Sequence, residues 1–226
     1  MLRPLLLIAI TGALGTNLLA QTKPYGGFDA QKILIPGDQA TGKESAVNGG
    51  YLDSWIDELA IHAKNYPVKF DTDADKAQAI RDITFLAGLM DTINEPTKPN
   101  LELLRRAGFI NSIAHNLDVK GAAQKSTDYF TRLLKVAPDD PVGNQMFGAF
   151  LGGAGHPKEA IPYLLKADSL GIRSAAFSLG MSYLMLGDKA KALEFFEKYR
   201  KAVPEDKSVD QLIDAIKTDR VGFKKT

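Results

Sequence analysis

Three places along this 226-residue chain hold residue types whose spacing could do chemistry. The first is Gly37 to Lys43, reading G-D-Q-A-T-G-K after the apolar run Ile33, Leu34, Ile35. That comes close to a strand followed by a phosphate-cradling loop. Such a loop needs Ser or Thr directly after its lysine, because that hydroxyl holds magnesium. Glu44 stands there instead, and its charge would oppose a nucleotide's phosphates. The second is Asp71, Asp73 and Asp75, which begin like a calcium loop with Asp82 at its far end. The sharp turn of that loop calls for glycine. Lys76 occupies the position, and a helical pattern already runs through it. The better reading is a helix start, where acidic side chains favour the positive dipole end and cap free amides. The third is the histidines, His62, His115 and His156, which nothing pairs at metal-ligand spacing. No nucleophile elbow or nucleophile–base signature is present. The sequence therefore predicts no enzyme, no catalytic residue, no cofactor and no metal.

The elements around these residues explain more than the residues do. From about Ala107 to Asp206 a register repeats with a period of about 33 residues, which signals stacked helical hairpins, each unable to bury its apolar face alone. Gly148 recurs as Gly180, Gly155 as Gly187, Ala160 as Ala192, and Tyr163 as Phe195, all at one identical spacing. Gly121, Tyr129, Phe130 and Pro138 stand two periods before Gly187, Phe195, Phe196 and Pro204. The units are placed at 107–140, 141–172 and 173–206, each with two helices joined at a glycine (Gly121, Gly155, Gly187). A last helix, about Ser208 to Thr218, is expected to cover the third unit, with a short basic tail in residues 207–226.

Ahead of the repeats, residues 51–106 read as helical. Leu52, Trp55, Ile56, Leu59, Ala63 and Tyr66 share one helical face, and Pro67 stops the run. A second helix from about Asp73 to Asn94 carries the stripe Ile80, Ile83, Leu86, Ala87, Met90 and Ile93. These two make an amino-terminal hairpin, and a third helix begins near Asn100. Residues 21–50 hold six glycines and two prolines without helical periodicity. They read as a flexible arm with a short strand at Ile33 to Ile35.

Composition narrows the function classes. Net charge is +1, so no global basic field exists to hold nucleic acid. The absence of cysteine excludes disulfides, thiolate chemistry and cysteine-type zinc sites. Residues 1–20 read as a secretory signal peptide: Arg3, then the apolar centre Leu5 to Ile10, then Ala20 as a cleavage point before Gln21. Gly12, Gly15, Thr16 and Asn17 make it too polar for a comfortable span, which needs about 20 apolar residues. The expectation is a periplasmic or secreted protein with no stable membrane insertion after cleavage.

The periodic residues resemble the tetratricopeptide repeat. In the third unit Leu179, Gly180 and Tyr183 stand at the signature of that repeat's first helix, and Ala192, Phe196 and Pro204 at its later positions. The middle unit keeps Gly148, Ala160 and Ala167 but has Leu151 and Leu164 for the aromatics and Ile172 for the proline. The first keeps Phe130 and Pro138, with Ala114 and Ser126 at the small-residue positions. The resemblance implies an all-helical superhelical array with a groove lined by each hairpin's first helix, where a protein or peptide partner binds. Carried onto this chain, the groove comprises Asn111, His115 and Asp118, then Gln145, Ala149, Gly152 and Gly153, then Phe177, Met181, Leu184 and Met185. It contains no lysine or arginine to grip a chain-end carboxylate, so an extended apolar segment fits it better. Either the groove is open, or Phe177, Leu184 and Met185 are core beneath the last helix or the arm. The function expected is a non-enzymatic interaction scaffold of the bacterial cell envelope, with a self-associating structural subunit as the alternative.

Overall fold

A computed structural model describes residues 24–38, 40–42, 45–95 and 97–221, so the expected signal peptide lies outside the described residues. A 3-10 turn, Ala30–Ile33, leads into β1 (Leu34–Ile35) and β2 (Ala46–Val47). Helices follow: α1 (Gly49–Ala63), α2 (Asp73–Ile93), α3 (Leu101–Asn116), α4 (Ala122–Val136), α5 (Pro141–Gly153), α6 (Pro157–Ser169), α7 (Ser174–Met185), α8 (Lys189–Ala202) and α9 (Ser208–Lys217). The architecture is all-α, an array of helical hairpins with an amino-terminal helical region and a terminal covering helix. Two compact units divide the chain, and the boundary falls within α4, between Asp128 and Tyr129.

Helix starts are set by side chains that accept otherwise unpaired amides. Thr72 Oγ1 accepts from Asp75 N at 3.0 Å, Asn100 Oδ1 from Leu103 N at 3.1 Å, Asp140 Oδ1 from Gly143 N at 2.6 Å and Asp188 Oδ1 from Lys191 N at 3.0 Å. Helix ends repeat too. Gly155, Gly171 and Gly187 have φ of +90°, +89° and +80°, and each donates to the carbonyl three positions back while the next residue reaches five back. This left-handed closure favours glycine. In the first hairpin the equivalent place is taken by Asp118 at φ +62°, not by Gly121. There α3 ends earlier and the connection to α4 runs through residues 117–121. Aspartate tolerates the left-handed region better than most side chains, and so a spacing rule keyed to glycine passes over it.

In the carboxy-terminal unit α5 packs on α6, α6 on α7, α7 on α8 and α8 on α9, while α5 also meets α7. The crossings are close because two helices have no side chain there. A Cβ on Gly148 would lie 2.6 Å from Leu164 Cγ and 3.2 Å from the Ala160 carbonyl. One on Gly180 would lie 2.6 Å from Phe196 Cδ1. Leu164 and Phe196 are both fully buried and occupy the same register position in successive hairpins. Between hairpins, Lys166 pairs with Asp139 at 2.5 Å and Lys198 with Asp168 at 2.6 Å. Partly exposed pairs of this kind add little stability.

The amino-terminal unit is built differently. The stretch that composition reads as a flexible arm is fastened over residues 25–33, while its described residues from Leu34 to Ala46 are exposed. Tyr25 and Ile33 are buried, Phe28 stacks on Trp55 at 5.2 Å, and Asp29 N donates to Tyr51 Oη at 2.7 Å. β1 and β2 pair antiparallel, Leu34 opposite Val47 and Ile35 opposite Ala46. The three apolar anchors hold residues 25–33 against the helices, and periodicity does not register them. α2 packs on α3, which also meets α1. Arg106 of α3 holds Asp53 of α1 with two hydrogen bonds, 2.7 and 2.8 Å, and this pairing raises the guanidinium above its ordinary value. Trp55 and Phe85 stack at 5.8 Å between α1 and α2.

Candidate functional site

The residues expected to line a groove fall in both units. In the amino-terminal unit Asn111 is 1% exposed, and its Nδ2 donates to the Ala107 carbonyl one turn back at 2.9 Å. Its side chain is spent inside α3. His115 is half-buried on the same helix and Asp118 is exposed at the turn.

In the carboxy-terminal unit the first helices of two hairpins, α5 and α7, lie side by side. Gln145 Nε2 donates to Ser178 Oγ across them at 3.2 Å, and Ser182 Oγ donates to the Ser178 carbonyl at 2.9 Å. Gln145 Oε1 is buried without a hydrogen-bond partner. Gly152 is part of this seam, since a Cβ there would stand 3.4 Å from Ser182 Oγ. Ala149 and Gly153 are exposed, and Met181 and Met185 are half-buried.

Of the remaining α7 positions, Leu184 is buried and Phe177 half-buried. Leu184 is 0% exposed in a cluster with Phe196, Val209, Ile213 and Ile216, so α9 covers it. Phe177 sits edge-on to Phe196 at 5.6 Å and to Tyr199 at 5.3 Å, and Met181 packs against the same cluster. Leu184 thus presents no surface, and Phe177 is shared between α7 and α8. The face that remains is Gln145, Ala149 and Gly153 on α5 with the half-buried Phe177, Met181 and Met185 on α7. No charged side chain is among them. Thioethers on such a face adapt to loosely specified apolar ligands.

α9 is held over Leu184 by charge as well as by apolar burial. Lys217 reaches Glu197 at 2.8 Å, Lys189 pairs with Asp219, and Tyr199 Oη donates to Asp206 at 2.8 Å. These contacts depress the three carboxyls: Asp206 by Ser208 and then Tyr199, Glu197 by Lys217, and Asp219 by Lys189.

No signal in the sequence marked the polar cluster buried in the amino-terminal unit. Trp55 Nε1 donates to Tyr25 Oη at 3.2 Å, Tyr25 Oη donates to Asp82 Oδ2 at 2.8 Å, and Gln78 Nε2 donates to Asp82 Oδ1 at 2.7 Å. Burial first, and Asp82 second, hold the Tyr25 hydroxyl well above the ordinary tyrosine value. Asp82 is therefore a buried acceptor. Thr72, Asp73 and Asp75 form the first turn of α2. Among the described residues, no cluster of the kind that holds a metal ion is present.

A solved structure matches this arrangement. A crystal structure of a thermophilic tetratricopeptide-repeat protein from Thermus thermophilus superposes with a TM-score of 0.52 at 16% identity. The match covers 75% of this chain and 92% of that one. The fold is tetratricopeptide-like. No family model matches the sequence, and no curated protein does. The tetratricopeptide-like register accounts for the close crossings at Gly148 and Gly180, since that position in each hairpin's first helix faces the large residue of its second.

Proposed function

We propose that this protein is a non-enzymatic scaffold for protein–protein contact in the bacterial cell envelope. The proposed site is the α5–α7 face of the carboxy-terminal unit, which holds an extended, uncharged partner segment. The observation that carries the reading is the face itself: Ala149 and Gly153 are open, Met181 and Met185 are half-buried, and no Lys, Arg, Asp or Glu is among its accessible residues. Small residues let a partner backbone approach, and the neighbouring thioethers supply apolar contact without fixed shape. Export is supported by the order of a positive residue, an apolar run and a small residue within residues 1–20.

The test is site-specific photo-crosslinking in cells. A photoreactive residue at Ala149 should capture a discrete envelope protein, and the same residue at exposed Lys158 of α6 should not. Ala149→Arg, on an exposed helical position, should weaken that capture with helicity unchanged. Equal capture at both positions, or none at Ala149, would refute the site.

A self-associating subunit is the second reading. It is favoured by Val136, which ends α4, and Leu170, which directly follows α6; they are 51% and 39% exposed. Sedimentation that finds only monomer at high concentration would remove it.

A further inference from the structure

Between α1 and α2 the chain returns to the end of α1 and leaves a cavity of about 330 Å³. Small-molecule sites span about 300–1,000 Å³. His62, 3% exposed, is the buried part of its wall. Ile61 and Tyr66, 59% and 44% exposed, are its open apolar members together with Pro67. Lys64, Asn65 and Lys69 supply its polar groups.

The hydrogen-bonding balance of this cavity is one-sided. The end of a helix presents carbonyls that repel an anion. Here the protein covers them itself. Lys69 N donates to the His62 carbonyl at 2.8 Å, and Asn116 Nδ2 of α3 donates to the Ala63 and Lys64 carbonyls at 3.0 and 3.1 Å. The Lys69 carbonyl lies 2.9 Å from His62 Nδ1, and because a carbonyl only accepts, it takes the hydrogen of that nitrogen. The side-chain donors are left over. Among the described residues, neither Lys64 Nζ nor Lys69 Nζ has an ion pair or hydrogen bond, and the Asn65 side chain has no hydrogen bond. No carboxylate lines the cavity; Glu58, whose Oε1 lies 3.8 Å from His62 Nε2, is buried and outside the lining. The stretch that follows has the opposite character, with Asp71 and Asp73 lining a second cavity of about 450 Å³ in which Lys76 is the one cation.

We propose that the cavity at the end of α1 binds a small organic anion with an apolar body, its charge between Lys64 and Lys69 and its body against Ile61, Tyr66 and Pro67. Two ammonium groups without an acid beside them favour a negative charge. They act as point charges and not as a planar fork, so they select charge and leave the shape of the head group open. The apolar members make the further choice: a bare inorganic anion leaves them in water, and an organic one covers them. This site belongs to the amino-terminal unit and is independent of the α5–α7 face.

The test is an NMR titration of the isotope-labelled full chain with phenylacetate, with phenylacetamide as its uncharged counterpart and inorganic phosphate as a bare anion. Phenylacetate should shift the His62 ring signals and the Lys64 and Lys69 amides along one saturable curve, and leave the Thr72 and Lys76 amides of the acidic cavity in place. Phenylacetamide and phosphate at the same concentrations should give no saturable shift. The double variant Lys64→Gln/Lys69→Gln changes two exposed side chains, and it should bind phenylacetate about tenfold more weakly or worse, with circular dichroism unchanged. Four results would overturn the proposal: no saturable shift with phenylacetate, an equal response to phenylacetamide, an equal response to phosphate, or a folded double variant that binds as tightly as wild type. If the double variant does not fold, the three wild-type titrations decide.

Discussion

The two units solve the same problem of burying helices by different means. In the carboxy-terminal unit the helices meet over absent side chains: Gly148 against Leu164 and Gly180 against Phe196. Its interior is mainly apolar and repeats, with Asp140, Asn144 and Ser182 among its buried polar residues. In the amino-terminal unit the interior contains Tyr25, Glu58, His62 and Asp82, with Tyr25 and Asp82 joined to Trp55 and Gln78. That interior does not repeat, and it depends on a segment outside the helices. A repeating interior needs only shape to be specified, whereas a polar interior needs every donor matched to an acceptor. The first should therefore be sensitive to volume and the second to single atoms.

The largest expected effect is on volume. Phe196→Ala removes a fully buried ring that touches Phe177 and fills the Gly180 crossing, and it should cost about 3–5 kcal/mol in urea unfolding. A loss below about 1 kcal/mol would show that the hairpin closes the space and that shape is not what specifies it.

A single atom is the next probe. Tyr25→Phe keeps the ring and removes the hydroxyl between Trp55 Nε1 and Asp82, leaving buried groups short of partners at a cost of about 1–3 kcal/mol. The same hydroxyl gives the unit an alkaline limit. Its folded value is raised, so its contribution is complete below the ordinary tyrosine value of about 10 and is lost as pH climbs beyond that. Wild type should lose stability in that range faster than Tyr25→Phe, which has nothing there to ionise. Parallel curves would separate Tyr25 from the alkaline transition.

A smaller effect is expected at α9. Asp206, Glu197 and Asp219 are all depressed by partners at or beside this helix, so the stability they contribute is present above the ordinary carboxylate range and fades as pH falls through it. All three carboxylates are open to solvent, so the effect is modest and salt-sensitive. Amide exchange at Val209 and Ile213 should rise in mild acid before exchange at Leu164 of α6 does. Simultaneous loss would make α9 part of the indivisible core.

How much of this was legible in the sequence follows the same division. The fold class and the close crossings at Gly148 and Gly180 could be read because a structural need recurs at fixed spacing. Asp118 escaped because aspartate met a need that the other hairpins meet with glycine. The expected groove was less legible. The register marks Leu184 as inner-facing, but nothing in a repeat pattern says that the next helix along, α9, will lie on it. The Tyr25–Asp82 pair joins two distant stretches of chain, with no periodic cue to connect them. Asp82 even counted toward a calcium-loop spacing, while in the fold it accepts from Tyr25 and Gln78. Composition likewise described residues 21–50 by their glycines, while Tyr25, Phe28 and Ile33 hold the 25–33 stretch in place.

The repeat architecture rests on two hairpins sharing one close crossing, and one chemical change measures that most directly. Glycine to alanine inside a helix is by itself stabilising by about 0.5–1 kcal/mol. At Gly153 nothing stands within 4 Å of the new methyl, while at Gly148 and Gly180 it meets packed carbon at 2.6 Å. Urea unfolding of the three variants should therefore give opposite signs: Gly153→Ala neutral to stabilising, Gly148→Ala and Gly180→Ala each destabilising by about 1–3 kcal/mol. Three values of the same sign and size, or a loss at only one of the two crossings, would contradict the shared architecture.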